Sequence, residues 1–483
     1  MKFRLISRVL GIGLIAFSFL QLTPIIVSII YNEDNITAFA NSFLITLAFG
    51  LFLYLVNFEK KYEGIRVKEG FLLTVLLWLF FTIFATLPLI LGTKTDLSIV
   101  SAYFEATSGL TTTGATIFSD LSGEYYSILF YRGLLQWVGG LGIIVLAIAL
   151  MPLLGVGGMQ LYRGETQGPI NQSKLRPKIA ETAMVLVYVY LILTFLCFLS
   201  YFIAGMEYFD AVVHSFTTIA IGGFSNYNES FAFFNNNTIY ILAVVFMFIS
   251  GISFSLHYLS FSNFKLFNYL KDPEFGFYWK MLFLAFVVFL ITIWFSSSEI
   301  SSSLIVSSLF TVTSFATTTG FTVLDHSSFP TYLPQLLIFI GMIGACAGST
   351  AGGFKAIRGL VLLNHARREL KKLIHPNLVL PLKIGKKKIN SEVADSVWGF
   401  LTVYLLTFLV GSFILLGQGI DTESAFSAIA ACLNNLGPGL GEVAYNYAGM
   451  NAFTKVLLAF VMILGRLEIY TLLVLFTSFF WKE

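Results

Sequence analysis

Long apolar runs alternate with short polar segments along the whole chain. Between the third and fourth, fifth and sixth, seventh and eighth, and ninth and tenth runs lies a shorter piece that contains Thr, Ser, Asn and Gly. A run of about 20 apolar residues spans roughly 30 Å as a helix, so the pattern predicts ten membrane crossings and four segments too short to cross. The ten runs lie near 8–31, 38–57, 70–92, 127–152, 180–204, 237–261, 278–296, 333–363, 393–416 and 452–480.

Composition and charge agree with a membrane protein and orient it. Hydrophobic residues make up 57% of the 483 residues and charged residues 11%, whereas about 25% of a soluble domain is charged. Lys and Arg concentrate in segments on one side of the predicted bundle, above all in residues 358–388, which predicts cytoplasmic N- and C-termini in a bacterial inner membrane. The opposite segments are rich in acidic residues, either because they attract cations or because acidic side chains translocate easily. The first run lacks a small-residue cleavage site, so we expect a spanning helix there.

The four short pieces are an internal repeat. The first reads Ser-Gly-Leu-Thr-Thr-Thr-Gly-Ala-Thr (108–116) and the third Ser-Phe-Ala-Thr-Thr-Thr-Gly-Phe-Thr (314–322), which share six of nine residues. Residues 217–225 and 433–440 are looser relatives that keep a glycine after a half-helix pattern. A single Thr-Thr-Gly is typical of an ordinary turn, but four in the same context indicate a repeated unit.

We therefore predict an all-α polytopic membrane protein. Two extra transmembrane helices precede four tandem helix–pore loop–helix repeats, which surround a pseudo-fourfold pore. Irregular backbone at membrane depth is tolerated where it is buried in protein or lines a wet cavity. The predicted boundaries are 1–68 for the two N-terminal helices, then 69–160, 161–272, 273–390 and 391–483 for the four repeats.

The glycine strands are candidate selectivity filters for a monovalent cation. Glycine tolerates positive φ, so a strand can turn its carbonyl groups inward to replace the water shell of an ion. We expect Gly114, Gly222, Gly320 and Gly437 in one ring, each directly after Thr113, Ile221, Thr319 and Leu436. The complete set of predicted filter residues is Thr112, Thr113, Gly114, Ile221, Gly222, Thr318, Thr319, Gly320, Asn435, Leu436 and Gly437.

The run 333–363 is too long for one span and is interrupted by small and polar residues, which lower helix propensity. We expect it to unwind beneath the third filter, although a seam for close helix packing is an alternative. Arg466, in the last apolar run, is expected to face the pore as an electrostatic barrier and bind the carbonyl groups of the unwound segment. The alternative is a structural ion pair with Glu468 or another buried acidic residue. The candidate gate residues are Gly344, Ala347, Gly348, Ser349, Thr350, Gly352, Gly353 and Arg466.

Three strings carry a resemblance to a known family: Gly-Ala-Cys-Ala-Gly-Ser-Thr-Ala-Gly-Gly-Phe-Lys (344–355), Asn-Asn-Leu-Gly-Pro-Gly-Leu-Gly (434–441) and Gly-Arg-Leu-Glu (465–468). With the filter segments, they make the chain resemble the superfamily of bacterial, fungal and plant K⁺ transporters. The two extra N-terminal helices favour its TrkH branch over its KtrB branch. The resemblance implies potassium uptake, gating by the intramembrane loop, a homodimer and a cytosolic TrkA-type ring that binds adenine nucleotides. Each filter here has a single-glycine core, unlike the Thr-Val-Gly-Tyr-Gly of potassium channels, which predicts fewer carbonyl rings and weaker K⁺/Na⁺ discrimination.

Rival functions are a proton- or sodium-coupled K⁺ symporter and an intramembrane enzyme. The repeats all run in the same direction, whereas coupled transporters usually contain inverted repeats, so we favour a channel-like path. The five histidines form no His-Glu-x-x-His or similar spacing, which argues against an enzyme, and His214 is expected to be a packing residue of a pore helix. K⁺ is the expected cargo, with no organic cofactor and no nucleic acid partner. The basic segment 358–388 is expected to dock a cytosolic partner, to bind anionic lipid headgroups, or only to fix the topology.

Overall fold

The computed structural model describes residues 3–56, 67–154, 179–262, 267–297, 301–330, 332–377, 380–385 and 387–482. The predicted boundary at 160/161 and Lys386 of the basic segment lie outside the described residues. The N-terminal helices are α1 (Phe3–Leu20), α2 (Thr23–Ile30) and α3 (Ile36–Val56). The first repeat contains α4 (Val67–Gly92), α5 (Ile99–Leu110) and α6 (Tyr126–Leu154). The second contains α7 (Ile179–Ile203), α8 (Tyr208–Ile219), a 3₁₀ turn (Ser230–Phe234), α9 (Asn237–Ser250), α10 (Phe254–Ser262) and α11 (Phe267–Lys271).

The third repeat contains α12 (Pro273–Ser297), α13 (Ser302–Ala316), α14 (Leu333–Ile343), α15 (Ala356–Ile374) and a small antiparallel ribbon of β1 (Lys383–Ile384) and β2 (Lys387–Lys388). The fourth contains α16 (Ser391–Gly417), α17 (Thr422–Leu433), a 3₁₀ turn (Gly441–Val443) and α18 (Ala452–Arg466). The chain ends in α19 (Tyr470–Leu473), a 3₁₀ turn (Val474–Phe476) and α20 (Ser478–Trp481). The all-α class and the order of helix, half-helix, irregular strand and second helix are as predicted.

The spanning helices match the predicted apolar runs, with two corrections. Within the described residues, seven helices are long and apolar enough to cross a membrane, or nine when each of two bent pairs is counted as one span. The bent pairs are α9 with α10, at 91°, and α18 with the segment that starts at Tyr470, at 106°. We expected continuous runs at 237–261 and 452–480, and both expectations are wrong because the chain turns sharply at Gly251 and at Glu468.

Each turn is visible in the backbone hydrogen bonds or angles. Gly251 ends α9, and its carbonyl oxygen accepts a hydrogen bond from the N–H of Cys346 at 3.0 Å instead of continuing the helix. Glu468 and Ile469 both have left-handed backbone angles, with φ of 54° and 49°, so α18 ends at Arg466. The eighth predicted run, 333–363, is interrupted between α14 and α15, as predicted.

The four half-helices are α5, α8, α13 and α17; three of them begin at a side-chain cap, and all four stop before a residue with left-handed φ. Side chains of Ser98, Ser301 and Asp421 accept hydrogen bonds from backbone N–H groups in the first turns of α5, α13 and α17. Each half-helix is followed within two residues by a residue in the left-handed region, which ends helical hydrogen bonding. The half-helices therefore all stop at one level, at the start of the four glycine strands.

Candidate functional site

The four glycine strands pack against one another in a closed cycle. A methyl group added to Gly114 would collide with the carbonyl oxygen of Gly222, and one added to Gly223 would collide with that of Thr319. The cycle closes through two more contacts of the same kind, Gly320 against the carbonyl oxygen of Leu436 and Gly437 against that of Thr113. The four glycines have φ of 82°, 82°, 83° and 96°, in the region that favours glycine. One ring of four glycines, each in contact with the next repeat, therefore lies at the centre of the bundle.

The ring corrects one predicted residue, because Gly223 and not Gly222 lies in the ring with Gly114. The residues two positions before the ring glycines are Thr112, Ile221, Thr318 and Asn435, and all have left-handed φ between 52° and 64°. Thr113, Gly222, Thr319 and Leu436 are the residues immediately before the ring glycines. Two adjacent glycines made the second strand ambiguous, although pairing residues 217–225 with 108–116 already sets Gly223 opposite Gly114.

Hydroxyl and amide groups brace the strands from behind. The hydroxyl of Thr111 hydrogen-bonds that of Thr113 at 2.7 Å, and Thr317 and Thr319 repeat the pair at 2.7 Å. In the fourth repeat, Nδ2 of Asn435 donates to Oγ1 of Thr113 and to the carbonyl oxygen of Met462, both at 3.0 Å. The threonine pairs support their own strands, whereas Asn435 joins the fourth strand to the first.

A buried ion pair supports the C-terminal ends of the first and second strands. Nε of Arg132 donates to Oε1 of Glu105 at 2.8 Å, and both side chains are at most 2% exposed. The guanidinium also donates to the carbonyl oxygen of Ser225 at 3.1 Å and lies over the ring of Phe224. Sequence reasoning missed this pair because its members are 27 positions apart and belong to different helices. His214 lies nearby with both ring nitrogens occupied, by the carbonyl oxygen of Asp210 at 2.9 Å and the hydroxyl of Ser225 at 3.0 Å, which fits a packing residue.

The interruption between α14 and α15 forms a loop, residues 344–355, that contacts the N-terminal ends of the glycine strands. The backbone N–H of Gly352 donates to Oγ1 of Thr318 at 2.8 Å, and a methyl group on Gly352 would collide with the carbonyl oxygen of Asn434. The hydroxyl of Thr350 donates to the carbonyl oxygen of Ile219 at 3.0 Å. The second half of the loop therefore lies against three of the four repeats, directly below the strands.

The first half of the loop is held by residues outside the glycine strands. The carbonyl oxygen of Gly348 accepts a hydrogen bond from the N–H of Phe254 at 3.0 Å, and the N–H of Ala347 donates to Oε1 of Glu274 at 2.6 Å. The hydroxyl of Ser349 donates within the loop, to the carbonyl oxygen of Cys346 at 2.6 Å. Of the predicted gate residues, Gly344, Gly348 and Gly353 adopt positive φ of 71°, 72° and 80°, where glycine avoids strain.

Arg466 joins the loop to the first repeat. Its side chain is 3% exposed, and its Nη atoms donate to the carbonyl oxygen of Thr350 at 2.9 Å and to that of Gly139 at 3.0 Å. The structure therefore contains the predicted contact between Arg466 and a loop carbonyl group. The alternative partner, Glu468, instead accepts a hydrogen bond from Arg358, at the start of α15.

A multi-pass helical bundle in which four half-helices lead into one closed ring of glycine strands belongs to the class of pore-loop membrane proteins. A family model described as "TrkH: Cation transport protein" matches residues 35–482. The chain belongs to the TrkH cation transport family.

Known members of the family are similar to the chain over its full length. The Trk system potassium uptake protein TrkH of Escherichia coli (strain K12) is 45% identical over 484 residues, with 100% of both chains covered. The protein of the same name from Vibrio parahaemolyticus is 44% identical over 486 residues, again with 100% of both covered. The crystal structure of the potassium transporter TrkH from Vibrio parahaemolyticus superposes with a TM-score of 0.93 at 42% identity and covers 100% of both chains.

Proposed function

We propose that this chain takes up potassium across the bacterial inner membrane through a channel-like pore. The observation that carries the proposal is the closed cycle of four ring glycines, each packed against the carbonyl group that precedes the next one. Carbonyl oxygens of Thr113, Gly222, Thr319 and Leu436 would then face the ion and replace its hydration shell. The C-terminal ends of the four half-helices carry partial negative charge toward the same centre, which favours a cation. Relatives named as potassium uptake proteins support K⁺ as the cargo.

Gating in this proposal rests on the loop and on Arg466. The loop lies below the strands, and the guanidinium of Arg466 holds it by the carbonyl oxygen of Thr350 while it also binds the carbonyl oxygen of Gly139 in the first repeat. A permanent positive charge at this position opposes cation passage, so conduction requires Arg466 and the loop to move aside together.

Control would come from the cytoplasmic side. Helix α15 continues the loop directly, and its last turns carry Lys371, Lys372 and the exposed side chains of Leu373 and Ile374. We propose that a cytosolic nucleotide-binding ring of the TrkA type docks on this basic segment of a homodimer and pulls on the loop. Anionic lipid headgroups are a second ligand for the same basic side chains.

The test is ion flux through the purified chain in liposomes loaded with potassium, with K⁺, Rb⁺, Na⁺ or Li⁺ outside. We expect K⁺ and Rb⁺ to exchange passively, well above Na⁺ and Li⁺ and without an imposed proton gradient. Flux that requires a proton or sodium gradient would replace the channel mechanism by the coupled symporter. Flux without preference for K⁺ would overturn the proposed filter.

The gate has its own test in the same liposomes. Arg466→Ala and deletion of residues 345–352 should each raise basal K⁺ flux, whereas Arg466→Lys, which keeps a positive charge, should stay nearer the unmodified protein. Unchanged flux in both disruptive variants would refute the gate and leave the pore proposal standing.

A further inference from the structure

The second filter strand lacks the brace found in the first and third. In those strands a threonine pair, Thr111 with Thr113 and Thr317 with Thr319, forms a hydroxyl contact of 2.7 Å behind the backbone. The matching positions of the second strand are Ala220 and Gly222, which have no hydroxyl group. Two adjacent glycines also give that strand more backbone freedom than either threonine strand.

Gln136, from α6 of the first repeat, supports the second strand where the threonine pair is missing. Its side chain is fully buried, Nε2 donates to the carbonyl oxygen of Gly222 at 2.5 Å, and Oε1 accepts from the N–H of Phe224 at 3.1 Å. The amide therefore clamps the strand on both sides of the ring glycine, Gly223. It is supplied by the neighbouring repeat, whereas the threonine braces are supplied by their own strands.

The glycine at position 222 is required by Gln136 and not by the backbone. Gly222 has an ordinary φ, unlike the left-handed Gly223. A methyl group added to Gly222 would instead collide with Cδ, Oε1 and Nε2 of Gln136. The side-chain space that Thr113 and Thr319 fill in their own strands is thus occupied here by the amide of Gln136.

We propose that Gln136 is a positioning residue that determines the ion selectivity of the filter by fixing the Gly222 carbonyl group. This inference rests on the proposed function of the ring as a potassium filter. A carbonyl oxygen has two lone pairs, so the oxygen of Gly222 accepts from Gln136 and still has one for an ion. Without the amide, the glycine pair is free to move its carbonyl group inward around the smaller Na⁺.

A four-member mutant cycle tests the proposal: the unmodified chain, Gln136→Ala, Gly222→Thr and the double variant, compared by K⁺ and Na⁺ flux in liposomes. Gln136→Ala should lower the K⁺/Na⁺ flux ratio by about fivefold, the value expected for the loss of one hydrogen bond. Gly222→Thr alone should also lower the ratio, because the new side chain meets the amide. The double variant should recover most of the K⁺/Na⁺ flux ratio, since the threonine side chain at position 222 then enters the space left empty by alanine at position 136.

Gln136→Leu, which keeps the side-chain volume and removes both hydrogen bonds, covers the case in which Gln136→Ala does not fold. A residue with only a packing role would change the amount of folded protein and all fluxes equally, and would leave the ratio intact. Equal ratios in the unmodified, Leu and Ala proteins would overturn the role of Gln136 while the filter proposal stands. An unmodified chain without K⁺ preference would instead defeat the proposed function itself.

Discussion

At the scale of single residues, the strands are held by contacts that cross from one repeat to another. Arg132 of the first repeat binds the carbonyl oxygen of Ser225 in the second, and Asn435 of the fourth binds Thr113 of the first. The N–H of Tyr447 donates to the carbonyl oxygen of Thr116 at 2.8 Å, and its hydroxyl to that of Gly437 at 2.9 Å. The shape of each strand therefore depends on side chains that are distant in the sequence.

The Glu105–Arg132 pair is the first residue-scale prediction. Glu105→Ala leaves Arg132 buried without its counter-charge, and the cost of breaking a buried pair is about 3–5 kcal/mol. We expect a clearly lower midpoint of thermal unfolding for the purified variant. The double variant Glu105→Leu/Arg132→Met removes both charges and should unfold above Glu105→Ala. Equal midpoints for the unmodified protein and Glu105→Ala would show that the pair does not stabilise the fold.

His326, in the loop between α13 and α14, predicts a pH effect at the outer end of the fourth strand. Its Nε2 lies 2.9 Å from the carbonyl oxygen of Gly439. Burial lowers the pKa of His326 below its ordinary value, outweighing the hydrogen bond to Gly439 and the charge of Asp325, which raise it. Burial would raise the pKa of Asp325, but hydrogen bonds from Ser327 and Tyr445 lower it to about 2, so this neighbour stays ionised at neutral pH.

The unfolded chain therefore takes up a proton on His326 at a higher pH than the folded chain. The stability that comes from keeping His326 neutral is present above its unfolded pKa of about 6.5 and is lost as the pH falls below that value. The midpoint of thermal unfolding of the unmodified protein should therefore drop between pH 7 and 5 by more than that of His326→Gln. Glutamine keeps an N–H donor and does not titrate. Parallel pH profiles for the two proteins would contradict the assignment.

At the scale of elements, local sequence predicted what local chemistry controls. Apolar length gave the spans, and the small residues of 344–353 gave the break between α14 and α15. The bends after Ser250 and Arg466 were missed because their causes are tertiary: the Cys346 N–H that binds Gly251, and the Arg358 side chain that binds Glu468. The clamp by Gln136 was missed for the same reason, since 86 positions separate it from Gly222.

The Arg358–Glu468 contact joins the end of the loop to the bend that follows α18, and it carries the element-scale prediction. Arg358 also donates to the carbonyl oxygen of Phe354 at 3.1 Å and lies over the ring of Phe400, so it is fixed in place. Glu468→Gln removes the negative charge that binds Arg358. Basal K⁺ flux should rise by about fivefold if the closed state loses about 1 kcal/mol of stability.

Glu369→Gln is the matched control for this variant. Glu369 lies on α15, the helix that also contains Arg358, and pairs with Arg368 at 3.0 Å, but its side chain is 45% exposed, and exposed pairs contribute little. Its flux should equal that of the unmodified chain. Equal flux in the Glu468 and Glu369 variants would show that the contact does not restrain the loop.

At the scale of the whole molecule, four similar repeats of one chain build an asymmetric bundle around the ring of glycines. The second helices differ most: α6 continues unbroken, α9 and α18 are followed by sharp bends, and α14 leads into the loop. A single chain allows these differences because each repeat has its own sequence. In a pore of four identical subunits, a change of sequence would occur in all four at once. Fourfold packing of the glycines is therefore compatible with one loop, residues 344–355, below the ring and with Arg466 bound to that loop.

This architecture predicts which side of the membrane each connection faces. Glu229, after the second glycine strand, and Lys371, on α15, are exposed. Three crossings, α9–α10, α12 and α14–α15, separate them, so they should lie on opposite sides. The charge distribution predicts that Lys371 lies on the cytoplasmic side.

Cys197, Cys346 and Cys432 are all buried, so native thiols should give little background labelling in a test with introduced cysteines. In intact cells, a membrane-impermeant maleimide should therefore label Glu229→Cys at once and Lys371→Cys after permeabilisation. Immediate labelling of both would break the predicted crossing pattern, while reversed labelling would keep the fold but turn the mouth beside Glu229 toward the cytoplasm, opposite to the direction required for uptake.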